Sequence, residues 1–347
     1  MEKYRVAIVG ATGLVGQEIL KILEQRNFPL SSLSLFASGG TAATTISGSR
    51  RAYPVQPLEH LSEHDAFQGV DLVFFAAGEE ISRHWIPLAV RTGATAIDSS
   101  SFYRMEPDVP LIVPEINPDD IQGHRGIISS PNCSSILLSL VLHPLSKIKS
   151  LKKAIVSTYQ STSGVGSAAM IELTLQTEQM LKGESPHPEM FPHEIGFNIL
   201  PQVDVFLDNG YTREEFQLLV ETRKILHNND ILVSATCVRV PTFKGHCQAV
   251  SLEFAGEINL EVAKDTLSKA PGVRVVDDTG INLYPHPRMA AGTDMIMVGR
   301  IRQDIFNVNG LVLWVVADNI RKGAALNMVQ IAEEILKKGR LKVKGII

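Results

Sequence analysis

The sequence predicts an α/β protein made of a doubly wound parallel sheet and a second, α+β domain with a mixed, largely antiparallel sheet. Short apolar strands alternate with helical segments over residues 1–131, which is the pattern of a parallel sheet covered on both faces. Longer strands follow over residues 132–323 and indicate a mixed or antiparallel sheet. The length of 347 residues suits two domains, each with its own core.

The elements of the first domain follow from the spacing of its apolar residues. Strands are predicted at 6–9, 34–37, 71–77, 94–98, 111–113 and 126–129, and helices at 14–26 and 81–91. The C-terminal segment 324–347 carries Leu326, Val329, Ile331 and Ile335 at helical spacing. We therefore expect a C-terminal helix that completes the first domain.

The second domain is predicted to combine long strands with fewer helices. Strands are expected at 154–160, 231–240, 248–254 and 295–303, and helices from residue 133 to about 145 and at 167–181. The segment 183–192 contains three prolines and is predicted to be a loop.

Composition excludes several classes of partner. A net charge of −4 provides no basic surface for nucleic acid. The sequence shows neither a secretory signal nor an apolar run that could span a membrane, so a cytoplasmic location without membrane contact is expected. Its three cysteines lack the spacing of a zinc site, and neither a metal nor a disulfide is expected.

A glycine-rich turn, GATGLVG at residues 10–16, joins the first strand to the first helix. Such a turn lets the backbone approach a pyrophosphate, while the helix start supplies N–H donors. The spacing differs from the GxGxxG pattern, and a tight turn without a ligand is the alternative. The flanking strand and helix favour dinucleotide binding. The predicted contacts are Gly10, Thr12, Gly13, Leu14 and Val15.

The end of the second strand indicates which dinucleotide to expect. NAD sites usually place an acid there to hold the ribose hydroxyls, but residues 25–58 contain no acidic residue. The sequence Ser-Gly-Gly-Thr at 38–41 leaves room for a 2′-phosphate. NADP is therefore the expected cofactor, with Ser38, Gly40 and Thr41 as contacts.

Cys133 lies in the segment SPNCSS, where a short strand gives way to an apolar helix. The unpaired N–H groups and the dipole of a helix start favour a thiolate, which is a nucleophile. Beside a nicotinamide, such a cysteine can capture a carbonyl carbon for hydride transfer. The alternative is a small buried side chain. Cys237 is interpreted as strand packing, and Cys247 as facing away from its neighbour His246.

Four further segments carry polar residues that are uninformative one at a time. They are 157–164, 221–224, 235–241 and 244–246. A histidine after a strand is more often a hydrogen-bonded loop residue than a base. The sequence Glu-Thr-Arg-Lys on an amphipathic helix is more often a solvated face.

Together with the glycine turn and SPNCSS, these segments resemble the aspartate-semialdehyde dehydrogenase family, in its bacterial branch. The resemblance runs from Val6 to about residue 325, and its most telling parts are PNCSS, STYQSTSG, FNILPQVDVF, VSATCVRVP and WVVADN. It implies a Rossmann-type first domain, a second domain like that of glyceraldehyde-phosphate dehydrogenase, and a homodimer.

The resemblance also implies a reaction. L-aspartyl 4-phosphate would be reduced by NADPH to L-aspartate 4-semialdehyde with release of phosphate, reversibly. The reaction would serve lysine and diaminopimelate, threonine, methionine and isoleucine biosynthesis.

Roles for individual residues follow from the same resemblance. Cys133 would form a thioester, His246 would act as acid/base, and Gln160 would orient the acyl group. Arg239 would bind the substrate carboxylate through its planar fork, and Glu221 would bind the substrate amino group. The other implied residues are Arg104, Lys224 and Asn132 for phosphate, and Ser163, Gly164 and Asn319 for the nicotinamide half of the cofactor.

One departure from the family pattern concerns the cofactor. Many relatives carry Arg-Ser where this chain has Gly40-Thr41, so weaker discrimination against NAD is expected.

Two other functions stay open as alternatives. A silent relative could act as a binding module, but the presence of the cysteine, glutamine, arginine and histidine named above argues against it. Another acyl-phosphate reductase, such as an N-acetyl-glutamyl-phosphate reductase or a glyceraldehyde-phosphate dehydrogenase, is disfavoured because Glu221 and Arg239 suit a substrate with amino and carboxylate groups.

Overall fold

The structure is a computed structural model that describes residues 2–40, 44–49, 51–63 and 67–341. It divides into two compact units. Unit 1 comprises Met1–Asn132 together with Ala324–Ile347, and unit 2 comprises Cys133–Gly323. Across the described ranges, no helix has the length and apolar character that crossing a membrane requires.

Strands and α-helices follow one another along the described chain. The strands are β1 (Tyr4–Val9), β2 (Leu30–Ala37), β3 (Thr45–Ser47), β4 (Ala52–Pro57), β5 (Leu72–Phe75), β6 (Thr95–Asp98), β7 (Ile127–Ser129), β8 (Leu151–Gln160), β9 (Leu232–Arg239), β10 (His246–Phe254), β11 (Val273–Val275), β12 (Ile296–Gln303) and β13 (Gly310–Ala317). The helices are α1 (Leu14–Gln25), α2 (Glu79–Arg91), α3 (Cys133–Ser146), α4 (Ser167–Leu181), α5 (Arg213–Leu226), α6 (Leu260–Ser268), α7 (Pro287–Ala290) and α8 (Leu326–Lys337).

Unit 1 has a seven-stranded sheet in its described residues, in the order β3-β4-β2-β1-β5-β6-β7. All neighbouring strands are parallel except β3 and β4. On one face, Ile8 of β1 shares a core cluster with Ile22 of α1 and Ile331 of α8. On the other face, Val9 shares a cluster with Ile86 of α2. Because successive side chains of β1 are buried on opposite faces, the doubly wound parallel sheet is confirmed.

Three parts of unit 1 differ from the prediction. Residues 111–113 form no strand, and Leu111 makes only an isolated parallel bridge to Ser129 beside β7. The prediction also lacks β3 and β4, because both are half-exposed and neither has a continuous apolar run. The C-terminal helix is shorter than 324–347: α8 ends at Lys337, and residues 342–347 lie outside the described part.

Unit 2 has a six-stranded sheet in the order β11-β12-β13-β10-β8-β9. The pairs β12/β13, β13/β10 and β10/β8 are antiparallel, whereas β8/β9 and β11/β12 are parallel. The predicted mixed, largely antiparallel sheet is therefore confirmed. Helix α3 is buried on almost all sides and packs against β8, β13 and α5.

Candidate active site

Three of the predicted site residues meet at one end of the unit 2 sheet. Gln160 is the last residue of β8 and Arg239 is the last residue of β9, and the parallel register places them side by side. His246 is the first residue of β10, which runs antiparallel to β8. A histidine after a strand is expected to lie in a loop. For His246 this expectation is wrong, because its backbone is part of β10.

The His246 ring is fully buried, and its hydrogen bonds show which ring nitrogen carries the hydrogen of the neutral form. Nδ1 accepts the backbone N–H of Ser161 at 3.1 Å, so Nε2 carries the hydrogen of the neutral ring. Burial, and then the charge of Arg239, hold the pKa of His246 well below its usual value. Nε2 has no hydrogen-bond partner among the described residues. A neutral N–H donor is therefore available to a ligand.

Arg239 presents a buried guanidinium next to this ring. Its Nη1 donates to the carbonyl oxygen of Ser161 at 2.8 Å. Burial lowers the pKa of Arg239, and the negative charges of Glu214 and Cys133 oppose that shift. A Cβ built on Gly164 would lie 3.0 Å from Nη1 of Arg239 and 3.3 Å from Nε2 of His246. Glycine therefore leaves the approach to both groups free of a side chain.

Cys133 is half-buried at the first position of α3, the helix start that the sequence predicts. A Cβ built on Gly323 would lie 3.0 Å from Cβ of Cys133, so this close approach favours glycine. The other two cysteines are buried, which raises the pKa of Cys237 and raises that of Cys247 to about 12. Neither has the low pKa of a nucleophile.

Gln160 belongs to a buried network that the sequence analysis missed in part. Its Nε2 lies 2.9 Å from Oε1 of Glu214, 3.1 Å from Oγ of Ser134 and 3.3 Å from Oγ1 of Thr158. Glu214 is buried in the first turn of α5. Thr212 and Glu215 form a capping box at the start of α5, and this sequence pattern could have located the helix start.

Glu221 and Lys224 lie further along α5. Glu221 is fully buried and Lys224 is half-buried. Glu221 comes seven positions after Glu214, about two helical turns, so both carboxyl groups project from the same side of the helix. The expectation that the segment Glu-Thr-Arg-Lys forms a solvated helix face is therefore wrong for Glu221, which is buried.

Asn319 is the second residue after β13 and joins two loops. Its Oδ1 accepts hydrogen bonds from Oγ of Ser161 at 3.1 Å, from Oγ of Ser163 at 3.2 Å and from the backbone N–H of Gly245 at 3.0 Å. The amide therefore holds the residue before His246 against the segment after β8. The predicted nicotinamide contacts of Ser163, Gly164 and Asn319 remain predictions.

The glycine turn of unit 1 has the features that a bound pyrophosphate requires. Gly10 has a positive φ of 82°, and a Cβ there would lie 2.3 Å from the carbonyl oxygen of Ala76. Gly13 is the N-cap of α1, without a side-chain cap and without an acid in the first turn. Leu14 and Val15 are the first two residues of that helix, and Thr12 is half-buried. The N–H groups of this helix start therefore suit an anion.

The turn after β2 was expected to have no acid beside it, and the structure shows that this expectation is wrong. Ser38 and Gly40 lie exposed beyond β2, and Thr41 is outside the described residues. Oε1 of Glu59 accepts the backbone N–H of Gly39 at 3.0 Å. A carboxylate from outside residues 25–58 thus occupies this turn.

Arg104 and Asn132 are the predicted phosphate residues of unit 1. Arg104 is buried, and its Nη2 donates to the carbonyl oxygen of Ser99 at 2.6 Å. Asp98, the buried last residue of β6, interacts electrostatically with Arg104; burial raises the pKa of Asp98. Asn132 is half-buried. Within the described ranges, no three His, Cys, Asp or Glu side chains group as a metal site would need.

Comparison with known proteins shows which family the chain resembles. The family model described as "Semialdehyde dehydrogenase, NAD binding domain" matches residues 5–124, and the one described as "Semialdehyde dehydrogenase, dimerisation domain" matches residues 142–322. The aspartate-semialdehyde dehydrogenase of Aquifex aeolicus is 48% identical over 97% of this chain and 99% of its own length.

Solved structures show the same fold. The aspartate semialdehyde dehydrogenase II of Vibrio cholerae, solved in complex with ASA, has a TM-score of 0.93 at 40% identity and covers 97% of this chain and 99% of its own. The Candida albicans enzyme, solved with NADP, shares the fold with a TM-score of 0.75 at 24% identity, over 98% of this chain and 100% of its own.

Fold and comparisons together define an oxidoreductase with a nucleotide-binding Rossmann-type domain and a second domain that carries a cysteine at a helix start. The aspartate-semialdehyde dehydrogenase family is the particular group to which the chain belongs.

Proposed function

We propose that the chain reduces L-aspartyl 4-phosphate to L-aspartate 4-semialdehyde with NADPH, releases phosphate, and catalyses the reverse reaction as well. The observation that carries the proposal is the juxtaposition of Gln160, Arg239 and a neutral His246 with an unpartnered Nε2. Membership of the aspartate-semialdehyde dehydrogenase family supports the choice of substrate.

Cys133 is the proposed nucleophile. Its sulfur attacks the C4 acyl carbon, a C–S bond forms, the bond from that carbon to the phosphate oxygen breaks, and phosphate leaves with the electron pair. The resulting thioester accepts hydride more readily than a carboxylate does. When bound, the nicotinamide supplies that hydride. The C–S bond then breaks, which releases the aldehyde and returns the sulfur as thiolate.

His246 and Arg239 act on the bound acyl group. The Nε2–H of His246 donates a hydrogen bond to the acyl oxygen, and this contact strengthens as negative charge develops there. This is the acid half of the predicted acid/base role. Arg239 holds the substrate carboxylate, Glu221 holds the amino group, and Gln160 orients the acyl group.

The remaining assignments belong to the same proposal. NADP is bound by the glycine turn of residues 10–16 with Ser38, Gly40, Thr41, Ser163, Gly164 and Asn319. Phosphate is bound by Arg104, Lys224 and Asn132. The match to a dimerisation domain supports a homodimer, and the cytoplasm is the proposed location.

The test is a spectrophotometric assay with purified protein, L-aspartate semialdehyde, phosphate and NADP⁺. We expect phosphate-dependent formation of NADPH, and loss of at least about 1,000-fold in Cys133→Ala. Cys247→Ala is the matched control, since its buried thiol is assigned no role. Turnover of Cys133→Ala close to that of wild type would contradict the proposal.

A further inference from the structure

Glu59 reaches the end of β2 through strand pairing. Strands β2 and β4 are parallel, with Ala37 opposite Pro57. Two residues beyond each strand, the chain places Gly39 beside Glu59, which lies in the short 3₁₀ turn Leu58–His60. Oε1 of Glu59 accepts the N–H of Gly39 at 3.0 Å. A carboxylate is therefore held by the backbone just past the second strand.

The end of β2 adjoins the glycine turn. The backbone N–H groups of Gly10 and Ala11 both donate to the carbonyl oxygen of Phe36, at 2.9 and 3.0 Å. In dinucleotide-binding folds the pyrophosphate lies on the glycine turn, and an acid at the end of the second strand holds the ribose hydroxyls. Glu59 supplies that acid in space, although it comes later in the sequence than the usual residue.

The charge of Glu59 distinguishes the two coenzymes. Hydrogen bonds from its own backbone N–H and from that of Gly39 hold the pKa of Glu59 below its usual value. An ionised carboxylate accepts hydrogen bonds from two ribose hydroxyls but repels a 2′-phosphate. Beyond its chain neighbours, no atom of the described residues lies within 4 Å of a Cβ built on Gly40. Gly40 supplies no cation to offset that repulsion.

We propose that Glu59 sets the coenzyme preference of this chain: its carboxylate binds the adenosine ribose of NAD and disfavours the 2′-phosphate of NADP, so that NAD is bound as well as NADP. The inference rests on the proposed function, in which unit 1 holds a nicotinamide dinucleotide.

The test compares dissociation constants of NAD⁺ and NADP⁺ by isothermal titration calorimetry for the full-length wild type, Glu59→Gln and Glu63→Gln. Glutamine keeps an acceptor for Gly39 and removes the charge. Glu63 is an exposed acid in the loop after the 3₁₀ turn and pairs with His84 at 3.3 Å. Glu63→Gln therefore removes one negative charge, as Glu59→Gln does, but at a different position. We expect the ratio Kd(NAD⁺)/Kd(NADP⁺) to rise about 10-fold in Glu59→Gln and to stay unchanged in Glu63→Gln.

Two results would overturn the inference. An unchanged ratio in Glu59→Gln, with a wild-type melting temperature, would show that Glu59 does not select the coenzyme although the proposed function stands. A wild type that binds neither nucleotide would remove the proposed function and this inference with it. The ratio of kcat/KM values for the two coenzymes should follow the ratio of dissociation constants.

Discussion

Gln160 and Glu214 form a buried hydrogen bond, with Nε2 of the amide 2.9 Å from Oε1 of the carboxylate. A carboxylate can only accept, so it holds the NH₂ side of the amide and thereby determines where the amide oxygen lies. The charge of Glu214 also acts on the Arg239 guanidinium. A residue with no predicted role thus orients one that is expected to contact the acyl group.

We expect Glu214→Gln to lower kcat/KM about 10- to 100-fold, because the Gln160 amide can then turn over. In a Gln160→Ala background the same change should cost less, since the part of its effect that acts through the amide is already lost and only the part that acts on Arg239 remains. Steady-state kinetics of the four proteins provide this double-mutant cycle.

Glu215→Gln is the matched control for that cycle. Its carboxylate lies in the same helical turn and accepts the backbone N–H groups of Thr212 and Cys237 at 2.7 and 2.8 Å. We expect a lower melting temperature with kcat/KM nearly unchanged. Equal losses from Glu214→Gln with and without Gln160 would show that Glu214 does not act through this amide.

Gly323→Ala tests the close approach to Cys133. A Cβ at residue 323 would lie 3.0 Å from Cβ of Cys133, so α3 or the 323 backbone must shift. We expect kcat to fall about 10-fold and the rate of iodoacetamide alkylation of Cys133 to change. Gly256→Ala is the control, because a Cβ there is 3.6 Å from the flexible Lys149 Nζ. Wild-type kcat and alkylation in Gly323→Ala would contradict the prediction.

Asp98→Asn tests how Arg104 is held. The Asp98 carboxylate accepts from Oγ of Ser82 at 2.7 Å and from N and Oγ of Ser100 at 3.0 and 2.7 Å, and it interacts electrostatically with Arg104. If Arg104 binds phosphate, the KM for phosphate in the oxidative direction should rise about 5- to 10-fold, with a smaller effect on the KM for semialdehyde.

The surface pair of Asp108 and Arg125 provides the control for this experiment, since Asp108→Asn removes an exposed carboxylate. Equal increases in both KM values for Asp98→Asn would indicate a general structural effect and count against a specific effect on phosphate.

His246 should make stability depend on pH. Its folded-state pKa is lowered, so below the unfolded-state value of about 6.5 the unfolded chain binds a proton that the folded chain does not. The free energy of unfolding therefore falls as the pH drops through about 6.5 toward the folded-state pKa. For one histidine, the free energy of unfolding falls by at most about 1.4 kcal/mol per pH unit, and His246→Gln should remove this fall.

Urea unfolding of wild type and His246→Gln between about pH 5 and pH 7.5 checks this prediction. Two other histidines with lowered pKa values, the buried His124 and the half-buried His143, are common to both proteins and cancel in the difference. Parallel pH dependences of the two proteins would mean that the fold does not lower the pKa of His246.

Much of the architecture was predictable because it depends on local spacing. Apolar runs located most of the strands of the first sheet, and the apolar stretch after Cys133 located α3. Strands β3 and β4 were missed because neither is a continuous apolar run. That omission also hid Glu59, since it is β4 that brings this acid to the end of β2.

The sequence by itself determined the two kinds of sheet, the glycine turn and a cysteine at a helix start, because each depends on neighbours within a few residues. Tertiary structure alone decided that Ser161 would hold Nδ1 of His246, 85 residues away, and that Glu214 would hold Gln160. Tertiary structure also decided that the Glu59 carboxylate would lie beside the backbone N–H of Gly39. Strand register and helix docking bring these groups together, and local periodicity carries no information about which distant strands pair.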